Sequence, residues 1–281
     1  MNSYWTNSWA RLKTQKRVMV ALWTLLFLII MAAIGPLISS YAYYETHLPL
    51  KNMTPSLQFW LGTDDLGRDM FTRVWWGARI SLFVGMMAAV IDLIVGVIYG
   101  SIAGLNAGNK IDEVMMRGAD IIYSIPYLLV VILLTVIMGT GLVSIILAIT
   151  ITGWIPMARI VRGQIMQLKE LDYAQAAIAL GASRSRLLFR HLLPNAMGPI
   201  ITTMTFTVPT AIFVEAFLSF IGLGVQAPIA SWGTMASEGL ASLRYFPWRL
   251  AFPATLISLT MLCFNIIGDG IRDAFDPRLK V

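Results

Sequence analysis

Long, uninterrupted apolar runs recur along this chain, each close to the ~20 residues that a helix needs to cross a bilayer. Six are read, at 18–38, 80–105, 119–138, 142–160, 197–223 and 250–268. Within each run the apolar positions are continuous, which fits helical spans rather than the alternating ~10-residue strands of a membrane barrel. Only Gly139, Thr140 and Gly141 divide the third run from the fourth, a tight turn at one surface. The pattern predicts an all-α polytopic membrane protein with six transmembrane helices. Residues 1–17 form a basic lead, 18–270 a single membrane domain and 271–281 a tail. The first run is longer than the apolar core of a signal peptide, and Ala33-Ile34-Gly35-Pro36 is a poor cleavage site, so this run is expected to stay as a span.

One polar island interrupts the apolar pattern at 173–195, with the sequence YAQAAIALGASRSRLLFRHLLPN. Ala, Leu and Gln at 174–180 favour a first helix. Gly181 then suits the left-handed residue that ends a helix, and Ser183 suits the cap of a second helix over 184–193. Pro194 is expected to stop that helix before the next apolar run. A stiff helical hairpin lying at the surface between two spans suits a docking handle.

Composition supports the membrane reading. Hydrophobic residues make up 57% of the chain and charged residues 13%, about half the ~25% charge of a soluble domain. Most of the 21 basic residues fall on one side if the N-terminus is inside, among them Arg11, Lys13, Lys16, Arg17, Lys110, Arg117, Arg159, Arg162 and Lys169. The bias places both termini and the hairpin in the cytoplasm. The net charge of +6 is then accounted for by orientation and an anionic inner leaflet of membrane lipid, with no nucleic acid as partner. Trp5 and Trp9 suit a membrane interface, and the lone Cys263 excludes a disulfide framework.

No catalytic set emerges. His47 and His191 fall on opposite sides in this topology and cannot share a metal, so no metal site is expected. No G-x-x-x-x-G-K-[ST] loop is present to hold nucleotide phosphates. Any work done must draw on a partner or an ion gradient. Two acids lie within apolar runs, Asp92 in the second and Glu215 in the fifth. A charge at a span's centre costs at least ~2.5–3.5 kcal/mol, so each must face protein or water. They are candidate pathway residues meeting the positive end of a substrate, or else structural groups bonded to another helix. Gly96, Gly100 and Gly104 form a small-residue face suited to close packing within the subunit. Pro126, Pro156, Pro199 and Pro209 are placed to kink spans. The turn-rich segment 62–69 is expected to fold the outer loop, with contact to a binding protein as the alternative. Asp269, Arg272, Asp273 and Asp276 are spaced to share one helical face with salt bridges.

The hairpin resembles the EAA loop of permease subunits of ABC importers, in which E-A-A, three residues, Gly and nine further residues precede I-x-L-P. Here Gln175-Ala176-Ala177, Gly181 and His191-Leu192-Leu193-Pro194 stand at that spacing, with Gln175 in place of Glu and His191 in place of Ile. LGTDDLGRD at 61–69, GARISL at 77–82, EAFLSFIGLG at 215–224, SWG at 231–233, GDGIRD at 268–273 and DPR at 276–278 are similar to the dipeptide/oligopeptide/nickel permeases. Within that group the chain looks most like the C-type permease of oligopeptide importers. The resemblance implies the type I ABC importer permease fold in a bacterial cytoplasmic (inner) membrane. It implies half of a heterodimeric pore with a homologous second permease, two cytoplasmic ATPase subunits that bind ATP and Mg, and an extracytoplasmic peptide-binding protein. This chain itself would bind no cofactor and catalyse nothing. Tyr173, Gln175, Ala176, Ala177, Gly181, Ala182, Ser183, Arg184, Arg186, Arg190, His191 and Pro194 would form the coupling surface for an ATPase cleft, with Asp92 and Glu215 on the translocation pathway. Oligopeptides are the expected substrate, with dipeptides, glutathione or nickel chelates as alternatives. An ion-coupled secondary transporter using Asp92 and Glu215 as proton sites is the rival from a different class.

Overall fold

The computed structural model describes residues 9–275. Trp5, Asp276, Pro277, Arg278 and Lys280 therefore lie outside the described residues. The helices are α1 (Lys16–Ile38), α2 (Met70–Leu105), α3 (Lys110–Ser124), α4 (Tyr127–Met138), α5 (Leu142–Lys169), α6 (Asp172–Ala179), α7 (Arg184–Phe220), α8 (Trp232–Ala241) and α9 (Trp248–Phe275). Among the described residues no strand forms, only an isolated bridge between Thr63 and Asp69.

Five helices, α1, α2, α5, α7 and α9, are long and apolar enough to cross a membrane. The sixth expected span is not a straight helix. Its run is divided between α3 and α4, which meet at 77°, and it counts as a crossing only if the bent pair is one span. Pro126 is the cause: it disfavours helical backbone at the residue before it, and Ile125 is extended at φ −70° and ψ 125°. Ahead of this bend, α3 begins at Lys110 with Asp112 and Glu113 in its first turn.

The spans pack where side chains are smallest. A Cβ on Gly96, Gly100 or Gly104 would run into Met157, Ala158 or Ile165 of α5, so the glycine face of α2 is buried inside the subunit. Asp69 caps α2 by accepting from the Thr72 backbone N–H at 3.0 Å. Beside the start of α2 packs α8, which the sequence does not suggest. Ser231 and Thr234 form a reciprocal capping box at its start. Its Trp232 is fully buried and donates its indole N–H to the Val74 carbonyl at 3.0 Å.

Pro194 does not stop the second hairpin helix. That helix runs unbroken from Arg184 to Phe220 because Leu188–Leu192 form a π turn. The Leu193 N–H reaches back to Leu188, and Pro194, near the start of the α-helical stretch, has no N–H to leave unpaired. The expected tail helix is likewise the end of α9, which continues to Phe275. Asp269, Arg272 and Asp273 make no ion pair with one another or with other described residues.

Candidate functional site

The hairpin forms at one end of the helix bundle, and its turn follows from two residues. Gly181 has φ +77°. Its N–H reaches the Ile178 carbonyl at 2.9 Å, while the Ala182 N–H reaches the Ala177 carbonyl at 3.0 Å, the paired bonds of a Schellman stop. Ser183 then caps the next helix, its hydroxyl accepting from the Arg186 N–H at 3.3 Å.

One face of the hairpin holds it to the bundle. Ala174, Leu187, Leu188 and Leu192 are buried against α5 and α7, with Ala177 packed beside them. Gln175 donates from its amide to the Lys169 carbonyl at 2.9 Å, closing the end of α5. The Asn195 amide donates to the Tyr173 hydroxyl at 3.3 Å across the hairpin. Arg184 reaches Asn106, in the turn after α2, at 3.3 Å. The opposite face is open and carries apolar side chains that no other element covers. Leu180 is 89% exposed and Phe189 67% exposed, with Ile178, Ala176 and Ala179 also uncovered. Arg186 and Arg190 stand free at its edge, His191 is half-buried, and no heavy atom lies within 4 Å of where a Gly181 side chain would begin.

The two acids expected on a pathway occupy different settings. Glu215 is fully buried, and its carboxylate accepts from Ser219 at 2.9 Å, Ser231 at 2.7 Å and Ser81 at 3.1 Å. The Ser81 oxygen in turn accepts from the Trp232 N–H at 3.1 Å. Glu215 thus ties α7 to α2 and to the cap of α8, and it borders none of the cavities described here. Replacing it with alanine leaves the Ser81 and Ser219 hydroxyl protons without an acceptor, while Ser231 keeps Thr234 at 3.4 Å. Glu215→Ala is therefore expected to cost ~2–6 kcal/mol, at ~1–3 kcal/mol for each of the two buried hydroxyls left unpaired. Thermal unfolding in detergent would read this as a lowered midpoint, and an unchanged midpoint would dismiss the clamp.

Asp92 borders a cavity of about 330 Å³ between α2, α4, α5 and α7. It is only 2% exposed, and its Oδ1 has no hydrogen-bond partner. Gly153 is the reason it fits, since a Cβ there would stand 2.7 Å from the carboxylate. A second cavity, of about 540 Å³, shares Thr203 and Phe206 with the first and runs toward the hairpin end past Gln164, Asn195 and Arg272. The two together make a groove along α7.

At the far end, segment 62–69 is folded by charge. Asp64 accepts from the Leu66 and Arg68 N–H groups at 2.9 Å each and pairs with Arg68 Nε at 2.6 Å and Arg73 Nε at 3.3 Å. Arg73 is 1% exposed and also pairs with Glu238 of α8 at 3.0 Å. Arg249 at the start of α9 reaches Asp65 at 3.1 Å. Asp64, Asp65 and Glu238 lie close enough together to suggest a metal, but these guanidiniums already neutralise them.

Sequence reasoning missed the Gln175 contact, the serine clamp and the Arg73–Glu238 pair. Ser219, four residues after Glu215, was the one local signal for the clamp.

With that geometry in view, residues 96–281 match the family described as binding-protein-dependent transport system inner membrane component. Residues 3–55 match the N-terminal TM domain of oligopeptide transport permease C. The chain is 57% identical to the oligopeptide transport system permease protein OppC of Bacillus subtilis, over 99% of this chain and 91% of that one. It is 56% identical to the dipeptide transport system permease protein DppC of the same organism, over 99% and 87%. With the oligopeptide permease OppC of Escherichia coli it shares 40% identity over 98% and 92%. The inward-facing MetNI methionine ABC transporter includes a chain matched at a TM-score of 0.60 and 19% identity, covering 74% of this chain and 98% of that one. The fold is the type I ABC importer permease fold.

Proposed function

Since the chain belongs to the family of inner membrane components of binding-protein-dependent transport systems, we propose that it forms half of an ATP-driven import pathway for oligopeptides. A homologous second permease completes the pore, two ATPase subunits drive it, and an extracytoplasmic binding protein delivers the peptide. The observation that carries this reading is the hairpin, rigidly seated on one face and apolar but uncovered on the other. The residues of the hairpin divide accordingly. Ala174, Ala177 and Gln175 hold the hairpin to the bundle; Ala176, Ile178, Leu180 and Phe189, with Arg186 and Arg190 at the rim, meet an ATPase cleft. Both termini and the hairpin then face the cytoplasm of a bacterial inner membrane. ATP and Mg are bound by the ATPase partners, and this chain catalyses no reaction.

The relatives named for oligopeptide and dipeptide transport are almost equally similar, at 57% and 56% identity. This permease body therefore fits peptides as a class, with length selected at the binding protein. Driving such a pathway from ~1:99 to 99:1 between its two states takes ~5.5 kcal/mol of differential binding. A single exposed ion pair, worth up to ~1 kcal/mol, cannot supply that, whereas an extended apolar docking face can.

The test is reconstitution. Co-expressed with a homologous permease, two ATPase subunits and an extracytoplasmic binding protein of its own organism, the chain is expected to purify in one complex. In proteoliposomes that complex should take up labelled tetrapeptide only with ATP and the loaded binding protein. Uptake driven by a proton gradient without ATPase subunits would replace this reading with secondary transport.

A further inference from the structure

The groove along α7 carries an inference that rests on the peptide-import reading and deepens it. We propose that Asp92 and its surroundings form a binding station for a primary ammonium group of the substrate in transit. Three threonines of the cavity's lining offer it acceptors only. Thr203, Thr207 and Thr210 each donate their hydroxyl proton to a carbonyl four residues back on α7, at 2.8, 3.1 and 2.9 Å. Their oxygens keep only lone pairs to offer the cavity they line. Asp92 adds a carboxylate oxygen with no partner, nine-tenths buried and more. The Tyr127 hydroxyl, bordering the same cavity from α4, is also buried without a partner. No lysine or arginine lines this cavity to neutralise the acid.

The Thr152 and Tyr127 hydroxyls keep protons to donate, but a carboxylate with no cation beside it makes this lining disfavour anions. An ammonium group carries three donors and one positive charge, and both find counterparts here. An unpaired carboxylate at membrane depth is costly, and a transient cationic guest relieves that cost without holding the guest permanently. Gly153, where a side chain would collide with the carboxylate, keeps the acid lodged against the α5 backbone rather than bonded to another side chain.

Two sources carry that chemistry, the peptide N-terminus and a lysine side chain, and uptake by wild type and Asp92→Asn separates them. Four matched peptides serve, with and without N-terminal acetylation and with lysine or norleucine at one position. The variant-to-wild-type ratio for each peptide cancels the binding protein's own preference. A loss of tenfold or more confined to peptides with a free N-terminus supports the N-terminal station, and one confined to lysine peptides supports the side-chain station. Equal ratios for all four, the acetylated norleucine peptide included, overturn the proposal.

A second measurement does not depend on transport or on the variant folding. In the purified wild-type complex, labelling of Asp92 by dicyclohexylcarbodiimide is expected to slow at least threefold with n-butylammonium and not with n-butanol. Equal labelling in both overturns the station, even if ATP-driven peptide uptake is intact. Protection by n-butylammonium in a complex that moves no peptide would retain the station and remove the peptide-import reading instead.

Discussion

Gly181→Trp is expected to reach the membrane in normal amount and to lose peptide uptake by roughly 100-fold, equivalent to ~2.7 kcal/mol of coupling. Nothing inside the subunit resists the new side chain, because no heavy atom lies within 4 Å of where it would begin. The damage arises on the open face, where an indole ring would occupy the space the ATPase needs. Backbone strain is a separate cost, since φ is +77° and a β-carbon in that conformation costs ~1–2 kcal/mol. Gly181→Asn isolates it: asparagine visits the left-handed region readily and should retain most uptake. Peptide-stimulated ATP hydrolysis and uptake at wild-type rates in the tryptophan variant would sink the docking assignment.

Asp64→Ala is expected to destabilise the outer end by ~3–5 kcal/mol, the range for breaking a buried ion pair by removing one partner. Two guanidiniums depend on this carboxylate, and Arg68 and Arg73 are both almost fully buried. Glu238 would remain near both but is 37% exposed, so it is a weaker partner. The loss of Asp64 also frees the two N–H groups that its Oδ1 collects to close the 62–69 turn. Limited proteolysis should then cut this turn in the variant and spare it in the wild type. Asp64→Asn, which keeps the turn-closing oxygen but not the charge, should fall between them. Equal protease resistance in all three would mean that the charges do not hold this end together.

The contrast between the hairpin and the rest of the chain shows what local sequence carries. Gly181 and Ser183 dictate a stop and a start within three residues, and the structure has both where the residues demand them. The continuity of α7 through Pro194 was hidden because it depends on a π turn, which has no residue signature of its own. Pro126 and Pro194 look alike in sequence, yet one turns the chain by 77° and the other lies within an unbroken helix. What separates them is the hydrogen bonding of the preceding turn. Asp92 and Glu215 were likewise indistinguishable as single acids inside apolar runs. Glu215 is satisfied by serines from three places in the chain, Ser81, Ser219 and Ser231, of which only Ser219 is local. Asp92 has no such set. Which acid faces a cavity is a property of helix packing, and no window along the sequence contains it.

The unbroken course of α7 makes the two ends of the molecule parts of one body. At ~1.5 Å per residue, its 37 residues form a rod of about 55 Å. Its π turn at Leu188–Leu192 and its internal Pro199 and Pro209 are the points at which it can bend, yet all three lie inside one continuous helix. Near that end the Glu215 carboxylate grips Ser81 of α2 and Ser231 before α8, so the rod cannot turn alone. A displacement of the hairpin is therefore handed to the serine clamp along a single helix, as from the handle of a key to its bit.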